Sequence, residues 1–286
     1  MAEVQPQIVT LIAGPGAEAA LRDCVAALGG TGDWPAPSAC DLVGIADEAA
    51  RLAIAGRPID IIAQPAEGRR KKLLVADLES TIIENEMLEE LADFLGLRAP
   101  VAEITRRAMN GEIDFVGALT ERVALLRGLP ESVLAEAASR IRIMPGARAL
   151  IATVRRAGVT TALVSGGFTV FAEQVAAELG FDKVVANRLD IAGGKLAGTV
   201  SPPIVTGATK RDTLVALAEE LGIGLDATLA VGDGANDLPM LQAAGLGIAF
   251  RAKPALAAAA RWRVDHADLT ALLYAQGYRQ EEIAAT

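Results

Sequence analysis

The sequence predicts an α/β fold: a parallel sheet with helices on both faces, a helical cap insert, and a small α+β domain ahead of them. Three observations carry this reading. Hydrophobic residues make up 52% of the 286 positions while aromatics are only 3%, an aliphatic bias that suits helices packed on a parallel sheet. From Leu73 onward, short apolar runs alternate with helical stretches, which implies right-handed crossovers between parallel strands. Between the first two of those runs lies a stretch rich in Glu, Arg, Ala and Leu at helical spacing, roughly 85–145, which reads as a lid.

Taken in order, QIVTLIA (7–13) reads as a strand, 17–28 as a helix, 40–45 as a strand, 47–56 as a helix and IDIIA (59–63) as a strand. The Gly and Pro of GGTGDWPAPSA mark a loop between them. This unit, residues 1–68, closes on QPAEGRRKK as a linker and carries no recognisable chemistry. The second domain, 69–286, has strands at 73–76 (LLVA), 159–164 (VTTALV), 183–186 (KVVA), 228–231 (TLAV) and 246–249 (LGIA), with a helix at 210–221.

A net charge of −9 argues against a broad phosphate-binding surface, so nucleic acid is not an expected partner, whereas bound cations are. No apolar run approaches the roughly 18 residues of a membrane span, and the opening MAEVQPQ lacks the basic region of a signal peptide. The expectation is a cytoplasmic protein without a membrane partner; a homo-oligomer is compatible with the sequence. Cys24 and Cys40 are the only cysteines and read as a reduced pair. His266 is the only histidine, read as a surface residue on the helical segment DHADLTALLY, so histidine-dependent triads and His-rich zinc sites have no support.

In open α/β sheets, ligands gather beyond the carboxyl ends of the strands. LLVA runs into Asp77-Leu78-Glu79-Ser80-Thr81, TALV into Ser165-Gly166-Gly167, and TLAV into Gly232-Asp233-Gly234-Ala235-Asn236-Asp237. Lys210 opens the helix 210–221. Each alone has a bland reading: a helix cap, a turn, part of a calcium loop without its closing Glu, a solvated lysine. Together, in this order, they supply what phosphoryl transfer requires. Asp77, Asp233 and Asp237 are hard oxygen donors suited to Mg²⁺. Ser165, the Gly166 amide and Lys210 suit phosphate oxygens. A carboxylate can then attack phosphorus, and a second acid can protonate the leaving alkoxide and later deprotonate water.

Over about 72–270 these motifs resemble the haloacid dehalogenase superfamily, a Rossmann-like fold, and within it the phosphoserine phosphatases. The family's Asp-x-Asp-x-Thr motif is matched by Asp77, Glu79 and Thr81 with one departure, and SGGF (165–168), ANRL (186–189), VGDGANDLPML (231–241) and AFRAKP (249–254) match closely. The resemblance implies that Asp77 is the nucleophile and Asp233 a metal ligand. It also implies that position 79 ligates the metal through its backbone carbonyl, and that Asn236 and Asp237 serve phosphate and metal. Thr81 would help both phosphate and turn. Glu86 stands nine residues after Asp77, where the family reads a substrate ammonium, and Arg122 stands where it reads a carboxylate. Met109 and Phe115 resemble the apolar residues that shield the site. Hydrolysis of O-phospho-L-serine to L-serine and phosphate, the last step of serine biosynthesis, is the implied activity.

Glu79 replaces the family's second Asp, keeping the carboxylate on one more methylene. A displacement of ~1 Å can cost on the order of 10²-fold, so an active but slower phosphatase is the expectation. Some relatives with Asp-Leu-Glu are phosphoserine:homoserine phosphotransferases, and a phosphoserine-binding regulator of negligible turnover is a third reading. Residues 1–68 read first as a plain structural unit; under the third reading they would be an ACT-like sensor.

Overall fold

The computed structural model describes residues 7–29, 31–109 and 112–285; most of the opening MAEVQPQ and the side chain of Met109 lie outside them. Among the described residues there are eleven strands: β1 (Gln7–Ala13), β2 (Asp33–Ala36), β3 (Ala39–Val43), β4 (Ile59–Pro65), β5 (Leu73–Ala76), β6 (Thr160–Phe168), β7 (Lys183–Ala192), β8 (Lys195–Ser201), β9 (Thr228–Gly232), β10 (Leu246–Phe250) and β11 (Trp262–Val264). Their spatial order is β2-β3-β1-β4-β11-β10-β9-β5-β6-β7-β8. From β11 to β7 the strands are parallel; the hairpin strand β8 and the N-terminal strands pair antiparallel.

The helices follow the same order: α1 (Glu18–Ala27), α2 (Asp47–Ile54), α3 (Met87–Asp93), α4 (Arg98–Met109), α5 (Phe115–Ala124), α6 (Val133–Ala138), α7 (Ala147–Arg156), α8 (Thr169–Leu179), α9 (Gly207–Glu220), α10 (Leu238–Ala243), α11 (Pro254–Ala259) and α12 (Ala271–Ala275). Alternation along β5 shows why helices cover both faces, since successive strand side chains point to opposite sides. Leu73 and Val75 join the apolar cluster that includes Leu214, Leu217 and Met240 of α9 and α10, while Leu74 and Ala76 join the one that includes Leu150 of α7 and Phe171 of α8. The four helices α3 to α6 form the insert between β5 and β6.

Several elements differ from the sequence reading. The GGTGDWPAPSA segment is not all loop: it contains β2, whose edge position in the sheet lets Pro35 dispense with a ladder N–H. The strand expected at 183–186 runs on to Ala192 and turns back as β8 through Gly193 and Gly194, both at positive φ, as a two-residue hairpin turn requires. SGG is not a free turn. It lies within β6, where the register to β7 shifts between Val164 and Phe168. DHADLTALLY is not a surface helix; only Ala271–Ala275 is helical, and it is buried, while His266 is exposed as expected. The segment read as a linker is tied down. Gln64 Nε2 donates to the Ala275 carbonyl at 2.6 Å, and Arg69 pairs with Asp41 at 2.8 Å. Cys24 and Cys40 are both free and buried. Among the described residues no helix is long and apolar enough to cross a membrane.

Candidate active site

The carboxyl ends of β5, β6 and β9 meet under the cap. Around this point a cavity of about 50 Å³ is lined by Asp77, Glu79, Glu86, Thr105, Phe115, Arg122, Ser165, Gly166, Asp233, Asn236 and Lys253. Asp77 follows β5 directly and its N–H donates to the Val231 carbonyl of β9, fixing where the side chain emerges. Its Oδ1 accepts from Lys210 Nζ at 2.5 Å, and the same ammonium donates to Asp237 Oδ1 at 2.6 Å. Lys210 is not a solvated first-turn residue: α9 begins three residues earlier than expected, capped by Thr206, so Lys210 comes a turn later and is wholly buried. Asp237 Oδ2 accepts from the N–H groups of Asp233 at 3.1 Å and Gly234 at 2.9 Å, closing the loop after β9 on itself.

One carboxylate oxygen from each of Asp77, Asp233 and Asp237 lies within 4.8 Å of the other two. Three buried hard oxygen donors at that spacing fit a divalent cation. The Glu79 carboxylate is not part of this group. Its Oε1 accepts instead from the Met87 N–H at the start of α3, at 2.9 Å, and the extra methylene is accommodated because residue 167 is glycine. A Cβ there would stand 3.0 Å from both Glu79 Cδ and Oε1. Ser80, the residue after Glu79, takes a positive φ of 55° and donates to Glu86 Oε1 at 2.8 Å. Thr81 is buried, and its Oγ1 has no hydrogen-bond partner among the described residues.

On the cap side, Arg122 is held by α5 and by its neighbours: Nε donates to the Ala118 carbonyl at 3.1 Å and Nη1 to Thr105 Oγ1 at 3.0 Å. Phe115, the first residue of α5, reaches across to Gly166, where a Cβ would meet its ring at 2.8 Å. Ser165 Oγ accepts from the Gly167 N–H at 2.9 Å. Burial dominates the titration of the acids. It pushes Asp77 up to about 6 against the pull of Lys210, and Glu79 up to about 8 with Glu86 adding to the rise. Asp233 is pushed up to about 8, with Lys253 opposing. For Lys210, burial works against the charge, but Asp237 and Asp77 outweigh it and raise the pKa.

A family model of haloacid dehalogenase-like hydrolases matches residues 74–242. The chain belongs to that family. A phosphoserine phosphatase of Idiomarina loihiensis is 49% identical over 201 residues, which cover 70% of this chain and 91% of that protein. One of Streptomyces coelicolor is 44% identical over 241 residues, 84% of this chain but 58% of the relative, so the match spans little more than half of that longer protein. Among solved structures, a haloacid dehalogenase family hydrolase of Salmonella enterica serovar Typhi superposes with a TM-score of 0.83 at 28% identity, covering 94% of this chain and 97% of that one. A phospho-aspartyl intermediate analogue of phosphoserine phosphatase superposes with a TM-score of 0.69 at 39% identity, covering 72% and 98%.

Within this family member, the structure gathers every site residue read from the sequence except Met109, whose backbone closes α4 but whose side chain is not described. Asp237 and Lys210 sit behind the cavity wall rather than on it. Three residues at or near the site received no role from the sequence. Thr105 and Lys253 line the cavity. Asn187 ties the strand ends together, donating to the Gly166 carbonyl at 2.7 Å and accepting from the Val205 N–H at 2.8 Å. Asn187 and Lys253 lie inside the quoted segments ANRL and AFRAKP, so the signal was present without a reason attached.

Proposed function

We propose that this protein is a phosphoserine phosphatase, a phosphoric monoester hydrolase that converts O-phospho-L-serine to L-serine and phosphate through an aspartyl-phosphate on Asp77, with Mg²⁺. The observation that carries the reading is the shared cavity: Glu86 and Arg122, of opposite charge, face the same small space as Asp77, Ser165, Gly166 and Asn236. A zwitterionic head and a phosphate therefore have complementary groups within one small molecule's length. The curated relatives' activity agrees with it.

The two carboxyls divide the work by environment. With a pKa of about 6, Asp77 is ionised at neutral pH; with one of about 8, Glu79 holds its proton. An Asp77 oxygen attacks phosphorus as the bond to the serine oxygen breaks, and Glu79 gives its proton to that oxygen. Glu79, now a carboxylate, takes a proton from water, whose oxygen attacks phosphorus; the bond to Asp77 breaks and phosphate leaves. Ser165, the Gly166 amide and Asn236 hold phosphate oxygens, and Lys210, buried behind Asp77, orients that carboxylate and offsets its charge. Asp77, Asp233, Asp237 and the Glu79 carbonyl would hold Mg²⁺, which when bound neutralises phosphate charge. Phe115 shields the space from water.

Phosphate release from phosphoserine, phosphothreonine and sugar phosphates, with and without Mg²⁺, tests the reading. Phosphoserine is expected to be preferred and Mg²⁺ to be required. Preference for a sugar phosphate would overturn the roles of Glu86 and Arg122. Product analysis with homoserine present separates hydrolysis from transfer, and release of free phosphate is the expected outcome.

A further inference from the structure

Lys253 stands in the loop before α11, and its backbone N–H donates to the Asp233 carbonyl at 2.8 Å. Its ammonium lies between two acids of different purpose: 3.1 Å from Asp233 Oδ2, in the acidic cluster, and 2.9 Å from Glu86 Oε1, on the cap side of the cavity. Lys210 also bridges two acids, but it is wholly buried and does not reach the cavity, whereas the Lys253 side chain is 31% exposed and lines it. One lysine is locked into the base of the site, and the other is anchored by its backbone with a side chain that is partly exposed.

We propose that Lys253 is an internal counter-cation that competes with the divalent ion for Asp233 and so sets the affinity of the acidic cluster for metal. The inference rests on the metal reading of Asp77, Asp233 and Asp237. A cation held by those three carboxylates must share Asp233 with an ammonium bonded to its Oδ2, and two positive charges this close repel each other. Loading the ion therefore loosens Lys253 from Asp233, and the ammonium then leans on Glu86 alone. By reciprocity, whatever holds Lys253 on Asp233 weakens the ion. The direction does not depend on a carboxyl proton being displaced, because the entering ion carries twice the charge of that proton.

Calorimetric titration of the metal-free protein with Mg²⁺ alone, at fixed pH and ionic strength, tests this without reference to turnover. Lys253→Met is expected to bind Mg²⁺ ~10-fold more tightly than the wild type, the size expected of a single nearby unit charge that is partly solvated. Lys253→Arg, which keeps the charge and the backbone anchor, is expected to stay within about 2-fold of wild type. Lys253→Gln replaces the Met variant should that one fail to fold, as judged from its melting curve. Binding by the neutral variants at wild-type affinity or more weakly overturns the role of Lys253 while leaving the metal site standing. Absence of a saturable Mg²⁺ heat in the wild type overturns the metal reading and this inference with it.

Discussion

At the scale of the residue, Glu79 carries the widest consequence. Its longer side chain does not simply push a carboxylate into the cavity; one oxygen is committed to the Met87 N–H and Gly167 leaves space for the methylene. The other oxygen is what remains for proton transfer. Glu79→Gln keeps an acceptor for Met87 but removes the proton-transfer group, so turnover should fall by roughly 10²–10⁴-fold with an unchanged melting temperature. Glu79→Asp keeps the acid but withdraws it from Met87, and turnover should remain within about 10-fold of wild type. Steady-state phosphate release beside melting curves checks both, and equal losses in the two variants would deny Glu79 its proton-transfer role. Cys40 offers a pH prediction far from the site. Burial, then the charges of Asp41 and Asp33, push its thiol up to about 12. The thiol form is kept below that value, so at pH 8 only about one molecule in 10⁴ carries the reactive thiolate. Alkylation followed by mass spectrometry should find Cys40 unmodified in the native protein and modified after denaturation; rapid native labelling would contradict the burial argument.

Among the elements, the strands that are buried on both faces were legible because they read as short continuous apolar runs: β5, β9 and β10 appear where the sequence puts them. Illegible elements owe their structure to partners far away in the chain. β2 exists because β3 pairs with it, and β11 because β10 and β4 lie on either side; three residues of WRV carry no periodicity that could announce a strand. The β7–β8 hairpin has a local signal in its Gly193-Gly194 pair. The site divides similarly. Asp77, Ser165 and Asp233 were legible as polar residues ending apolar runs, whereas Lys253 became visible only when folding set it against Glu86 and Asp233. Arg69 is the same case in a structural role. Its guanidinium bonds Asp41 through two nitrogens, Thr10 Oγ1, and the carbonyls of Tyr274 and Ala275. It thereby joins β1, β3 and the C-terminal helix α12. Arg69→Met leaves Asp41 buried without its cation, and a loss of roughly 3–5 kcal/mol is expected in urea unfolding. A loss below ~1 kcal/mol would mean that Asp41 finds another partner.

For the whole molecule, the question is whether residues 1–68 are an appended module or part of one folding unit. A solved phosphoserine phosphatase that covers 72% of this chain is itself 98% matched, so a relative folds with fewer residues than are present here. Here, however, the sheet continues from β10 through β11 to β4, and the apolar residues of β1, β3 and β4 share one cluster with Leu269, Leu272 and Tyr278. Polar ties follow the same seam: Asp60 accepts from the N–H groups of Asp265, His266 and Ala267, and Gln64 donates to Ala275. Removing residues 1–65 would strip the pairing edge from β11, leave the donors at 265–267 without their acceptor, and expose the buried face of α12. An open strand edge beside apolar surface is also a site for self-association. The truncated chain should therefore melt at least ~10 °C lower than the full protein, since the loss of several kcal/mol moves a domain of this size by that much, and should form oligomers on size-exclusion chromatography. The cavity is built from the ends of β5, β6 and β9, the loop after β10 and the cap, none of which pairs with the removed strands. Phosphate release per folded molecule at low temperature should accordingly survive within a few-fold. A truncated protein that is monomeric and as stable as the full chain would make the N-terminal unit an independent module, and its purpose would then have to lie in what it binds.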